Sequence, residues 1–116
     1  MNSVHLIGRV GNIPTIKYIG ASNRALCDFV LAVEQRNAPP DPDTGHRPCY
    51  FFVIKVWGTK AEAVHGRIEK GQRVALQGHL VQENFTPVGA SEPIRRAVVE
   101  AEFITPLDKA RSSSAA

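Results

Sequence analysis

Along much of the chain, apolar and polar residues alternate with a period of two, the spacing of a strand that buries one face. Val4, Leu6 and, less regularly, Val10 set this pattern between Ser3 and Val10. Gly8 and Gly11 interrupt it, as expected where a strand bends or bulges. Asn12 to Pro14 is turn material, followed by a short strand around Thr15 to Ile19 and a hairpin turn over Gly20 to Arg24. Leu26 to Val33 reads as a second long strand. Cys49 to Trp57 alternates most clearly: Phe52, Ile54 and Val56 share one face, and Phe51, Val53, Lys55 and Trp57 share the other. Further strands are expected from Arg73 to about Phe85, with Val74, Leu76 and Leu80 on one face, and from Ile94 to Ile104.

Two segments break the alternation with proline and glycine. Gln35 to Pro48 carries Pro39, Pro40, Pro42, Gly45 and Pro48, and proline lacks the donor that a central strand needs, so an exposed loop is expected. Thr86 to Pro93 reads as a second loop. After Gly58 the period changes. Thr59 stands three residues before Glu62, a capping-box pattern, and Ala61, Val64 and Ile68 recur at helical spacing. Lys70 is then expected in the last helical turn and Gly71 just beyond it.

Counting the long strands, the order is three strands, one short helix and two strands. That order describes an all-β fold: a five-stranded OB-fold, a Greek-key barrel with one helix between its third and fourth strands. The 116 residues make one domain, expected over 1–107, with 108–116 as a short disordered tail. Phe29, Phe52 and Phe103 are expected in the core.

A hydrophobic fraction of 43% supports a folded core, and the formal charge of +3 suits a polyanionic partner without demanding one. Cys27 and Cys49 have no metal-ligand spacing and read as small buried residues in a reducing cytoplasm. No apolar run is long enough to span a membrane, and no targeting segment is expected at the start. The four histidines are scattered and no phosphate-cradling glycine motif precedes a helix, so neither catalysis nor a cofactor or metal is expected.

Holding single-stranded nucleic acid without reading its sequence needs aromatic faces for stacking and cations along the phosphates. The third long strand offers both on one surface: Phe51 and Trp57, with Lys55 between them. Phe85 is a further stacking candidate, and Arg9, Lys17, Tyr18, His79, Arg95 and Arg96 extend the expected footprint. The plainer readings are that Trp57 plugs the barrel or covers the helix, that Phe85 pins a loop, and that Arg95 and Arg96 are a solvated edge that discourages aggregation.

Several segments resemble those of bacterial single-stranded DNA-binding proteins, the SSB family. The opening MNSVHLIGRV is similar to that family's MNKVILIGRL, and Pro14 with Lys17-Tyr18 to its DPELRY. Asp28 to Val33 resembles NFTLAV, and Phe51 to Gly58 with Ala61-Glu62 resembles FINCVVWGKQAE. Lys70-Gly71 and Gln77-Gly78 match a KKG…VEG pair. The resemblance covers about residues 1–107 and implies an OB-fold that coats single-stranded DNA in replication, recombination and repair. It also implies assembly as a homotetramer (or a dimer, for instance through a first strand pairing across a two-fold axis) and a cytoplasmic, nucleoid-associated location.

By position, Phe51, Trp57 and Phe85 fall where the family stacks bases, and Asn37 falls where some members carry a further tryptophan. Lys55 is consistent with phosphate contact. Two features depart from the family. The stretch from Lys109 to Ala116 has no acidic tip, which leaves recruitment of repair and replication enzymes open and allows a specialised role. The loop from Ala38 to Pro48 is rich in proline. The alternatives are a primosomal replication-restart protein acting through protein contacts and an RNA-binding OB module.

Overall fold

The computed structural model describes residues 1–108. Strands β1 (Val4–Val10), β2 (Thr15–Ile19), β3 (Arg24–Glu34) and β4 (Cys49–Trp57) precede helix α1 (Thr59–His65). Strands β5 (Arg73–Phe85) and β6 (Ile94–Pro106) follow it. They form one sheet in the order β1-β5-β6-β4-β3-β2, and a second pairing of β1 with β3 closes the ring. All pairings are antiparallel except that of β4 with β6. The five long strands make this ring. The short Thr15–Ile19 segment is a sixth strand, sharing the edge of β3 with the last residues of β1.

The alternating pattern selects the interior. Phe29, Leu31, Ile54, Val56, Val74, Leu76 and Val99 are buried inside the ring, with Phe52 packed against them. Ala61 and Ile68 close the cluster from the helical segment. Burying one such large side chain is worth about 1.5–3 kcal/mol, so this interior is the main stabilising element. Cys27 is fully buried and both cysteines are free; burial first, and then the neighbouring Asp28 charge, push the Cys27 thiol up to about 11. A thiol so held stays protonated and packs as a small apolar residue.

Closure brings backbones into unusually close approach at two glycines. A Cβ on Gly78 would lie 2.1 Å from the Glu100 carbonyl oxygen, and one on Gly8 would lie 2.4 Å from that of Ala32. Gly8 therefore lets β1 swing from β5 onto β3. Gly78 adjoins a break in register: Gln77 faces Phe103, but Gly78 faces Ala101, leaving Glu102 as the extra residue of a bulge.

That bulge corrects one sequence expectation. Val99 and Ala101 point inward, and uninterrupted alternation would send Phe103 inward too. The extra residue reverses the phase, so Ile104 packs against the core and Phe103 is 61% exposed. The helix also differs from expectation. Gly58, at φ 77°, is the N-cap; Thr59 already lies in the helix, and no side chain caps it. The helix ends at His65, so Lys70 is not in its last turn and Gly71 does not terminate it. Gly71 instead donates its N–H to the Val10 carbonyl in the turn before β5. Ile68 keeps its inward phase because its N–H still bonds the Val64 carbonyl (3.1 Å).

After β6, the Leu107 N–H bonds the Arg73 carbonyl and the Asp108 carboxylate accepts the Arg73 N–H. The expected tail boundary thus falls on a residue tied to β5; the remainder of that tail, 109–116, lies outside the described residues.

Candidate nucleic-acid interface

Cross-strand partners in a sheet share a face, so the register fixes what stands on the outside of the ring. On β3 and β4 the outward pairs are Ala32 with Phe51, Val30 with Val53, Asp28 with Lys55, and Leu26 with Trp57. On β2, Lys17 extends the Trp57 row and Thr15 the Lys55 row. Across the parallel junction Lys55 stands beside Glu100, which in turn faces His79 on β5. The face expected from the alternation of β4 is therefore real, and it lies outside the barrel.

The aromatic groups on this face are accessible to different degrees. Phe51 is 68% exposed, Phe85 is 37% exposed and Trp57 is half-buried. The Arg24 guanidinium lies 4.6 Å from the Trp57 ring centroid, and that of Arg96 lies 4.1 Å from the Phe85 ring. Both are within cation–π range, and each sets a positive charge against an aromatic ring. Sequence alone places Arg24 in a turn and misses this role. It lies two residues before Leu26, and that period of two is the signal that places it on the Trp57 face.

The centre of the face is an ion network. Lys55 Nζ lies 2.5 Å from one oxygen of Glu83, and Arg96 donates to the other from Nε (2.9 Å) and Nη2 (2.8 Å). Burial pushes the Glu83 carboxyl up, but hydrogen bonds and charge from Lys55 and Arg96 outweigh it and hold it below the usual carboxylate range. Lys55 is thus not the lone cation that its place in the sequence suggests. It is shielded, with 16% side-chain exposure, and already partnered. Glu83 stands two residues before Phe85 and so on its face, but nothing local in sequence shows that Lys55 reaches it across the intervening β6.

The remaining candidates are dispersed. Lys17 stands on the Trp57 face, 3.9 Å from Asp28. His79 lies between Glu102 (3.0 Å) and Glu100 (3.5 Å), so its surroundings are acidic. Tyr18 alternates with Lys17 and faces away, donating its hydroxyl to Glu62 of the helix (3.3 Å). The Glu62 charge foremost, with burial and that hydrogen bond, raises the Tyr18 pKa. Arg95 pairs with Asn84 and alternates with Arg96, so it too leaves the aromatic face. Arg9 pairs with Ala32 at the far margin of the face, bonded to the Gly71 carbonyl (3.1 Å) and 3.5 Å from Asp108. Asn37 lies in the loop after β3.

The profile of the single-strand binding protein family matches residues 1–105. The chain belongs to that family. Single-stranded DNA-binding protein 1 of Synechocystis sp. is 29% identical over 116 residues, covering all of this chain and 91% of that relative. Single-stranded DNA-binding protein 2 of Clostridium acetobutylicum is 33% identical over 100 residues, 86% of this chain and 70% of the relative. The single-stranded DNA-binding protein of Thermosynechococcus vestitus is 32% identical over 98 residues, 81% of this chain and 75% of the relative. Among the described residues no helix is long and apolar enough to cross a membrane, and no group of three or more His, Cys, Asp or Glu side chains is placed to hold a metal ion.

Proposed function

We propose that this protein coats single-stranded DNA without reading its sequence and so serves replication, recombination and repair, in the cytoplasm where the nucleoid lies. The observation that carries the reading is the outer face on which Phe51, Trp57 and Phe85 stand with Arg24, Lys55 and Arg96, in a chain of the single-strand binding protein family. Bases stack on the rings, and the guanidiniums beside two of them meet the phosphates. No base-edge reader is required.

A titration with oligo-dT, followed by Trp57 fluorescence, tests this. Quenching is expected, weakened by salt, with duplex DNA a poor competitor. A folded protein whose emission ignores oligo-dT would overturn the assignment of Trp57 and move the reading towards a protein-interaction module. Oligo-U in the same titration separates a DNA coat from an RNA-binding module.

The active form is an assembly of copies of this chain. Along Val4–Gly8 one edge of β1 pairs with β5, whereas β3 covers the other edge only at Arg9 and Val10. That open edge offers unpaired backbone groups to a second copy across a two-fold axis. On the adjoining outer face Ile7 is 56% and Phe103 61% exposed. Val4 and Leu6 pack against the core, so lysine there would test folding rather than assembly. Ile7→Lys with Phe103→Glu is expected to bring the mass measured by light scattering down to the monomer; a mass that stays with the wild-type oligomer would refute this interface.

A further inference from the structure

One acid holds the cations at the centre of the outer face. Lys55 reaches Glu83 from β4 at one carboxylate oxygen (2.5 Å), and Arg96 reaches it from β6 at the other (2.8 and 2.9 Å). Arg96 spends two N–H groups on that single oxygen, while its guanidinium lies over the Phe85 ring. An ammonium and a guanidinium converging on one anion form a set of donors that a phosphate would satisfy equally well. Glu83 fills that place from within the chain. Its side chain is 25% exposed, so the network is open to solvent and to an arriving strand.

Val98 shows how the network lies. It precedes Val99, which faces the core, so by alternation it faces out, opposite Val81. It is nonetheless 1% exposed and stands outside the core cluster. On β6 it lies between Glu100, beside Lys55, and Arg96, opposite Glu83. The Lys55 stem, running from the first position towards Glu83 at the second, passes over it and covers it. The network is thus a lid on an apolar floor.

Resting on the DNA-coating reading, we propose that Glu83 is an internal stand-in for phosphate, which closes the centre of the face in the free protein and is displaced when a DNA backbone takes over Lys55 and Arg96. Closed, two cations and one carboxylate leave a single net positive charge; open, both cations serve the strand. Arg96 leaves the Phe85 ring as it turns to a phosphate, and Lys55 leaves Val98. The same exchange therefore clears an aromatic face and an apolar floor for base and sugar. Glu83 works against binding, and so sets how tightly the face holds DNA.

Glu83→Gln keeps the shape and removes the charge. It is expected to bind oligo-dT about 5-fold more tightly than wild type, the equivalent of about 1 kcal/mol, at the upper end for a solvent-accessible ion pair. The slope of log K against log salt should steepen by about 0.7, for one more phosphate neutralised. Glu62→Gln removes the same charge from the exposed side of α1, where its partner Tyr18 faces away from the aromatics, and should leave affinity and slope unchanged. A folded Glu83→Gln with wild-type affinity and slope overturns the proposal. An equal gain in Glu62→Gln overturns it as well, because the effect would then be one of net charge. A second measurement needs no variant and decides the matter if Glu83→Gln does not fold. In a crystal structure of the wild-type protein with oligo-dT, Lys55 and Arg96 should both have left Glu83 for phosphate oxygens. A network still closed beneath the bound strand overturns the displacement and leaves the DNA-coating reading standing. Wild-type protein that fails to bind oligo-dT removes that reading, and the stand-in with it.

Discussion

Gly78→Ala is expected to cost about 3 kcal/mol of folding stability, at the upper end for overpacking. For a domain of this size that lowers the melting temperature by about 10–20 °C. The reason is geometric. The added Cβ would lie 2.1 Å from the Glu100 carbonyl oxygen and 2.9 Å from both the Glu100 carbonyl carbon and the Ala101 Cα. All three are backbone atoms of the paired strand, so no rotamer change relieves the clash. Either β5 separates from β6 at the bulge or the bulge moves, and moving it by one residue reverses which side chains of β6 face the core. Gly66→Ala is the matched control. Its φ is −83° and an added Cβ meets nothing closer than 3.9 Å, so that variant should melt within a few degrees of wild type. Thermal unfolding followed by circular dichroism compares the two, and equal melting temperatures would show that the β5–β6 approach is less constrained than the geometry requires.

The same bulge marks the limit of what the sequence discloses. Alternation along β4 identifies both of its faces because that strand runs without a register break, and Phe52, Ile54 and Val56 duly turn inward. Phe103 obeys the same pattern on paper but not in the fold, since one extra residue at Glu102 inverts the phase and nothing in the local composition announces it. The helix is misread for a related reason: Thr59 and Glu62 have capping-box spacing, but the chain enters α1 through the left-handed Gly58, one residue too early for the box to form. Of the interface, period-two spacing yields the aromatics. The charges are harder, because their partners are distant in sequence. Lys55 and Glu83 meet across β6, and Tyr18 turns to Glu62 of the helix.

Those pairings change how the face handles charge. Glu83 already neutralises much of what Lys55 and Arg96 offer, so a phosphate arriving there competes with a carboxylate and not with water. On the proposed DNA path, cations without such a partner matter more for net attraction, which points to Arg24 beside Trp57. On the same proposed reading, affinity at the centre of the face would rest on stacking.

Removing the rings should therefore have the largest effect on binding. Phe51→Ala and Trp57→Ala are each expected to weaken binding of a long oligo-dT by about 5- to 150-fold, the equivalent of about 1–3 kcal/mol for each base left unstacked. They stand six positions apart along β4, about 20 Å at about 3.3 Å per residue, so they would occupy different bases and their effects should add. The double variant then weakens binding by at least about 30-fold, the product of the two smallest single effects. Phe51 is 68% exposed, and its truncation should leave the fold undisturbed. Trp57 is half-buried opposite Leu26, so its variant needs a melting curve beside the binding curve. Salt dependence separates this effect from the removal of a charge: deleting a ring lowers the affinity at every salt concentration and keeps the slope, whereas deleting a phosphate-binding cation flattens it. Parallel lines displaced downward for Phe51→Ala would establish it as a stacking platform. A line that overlays wild type would instead make this the exposed aromatic of a protein contact.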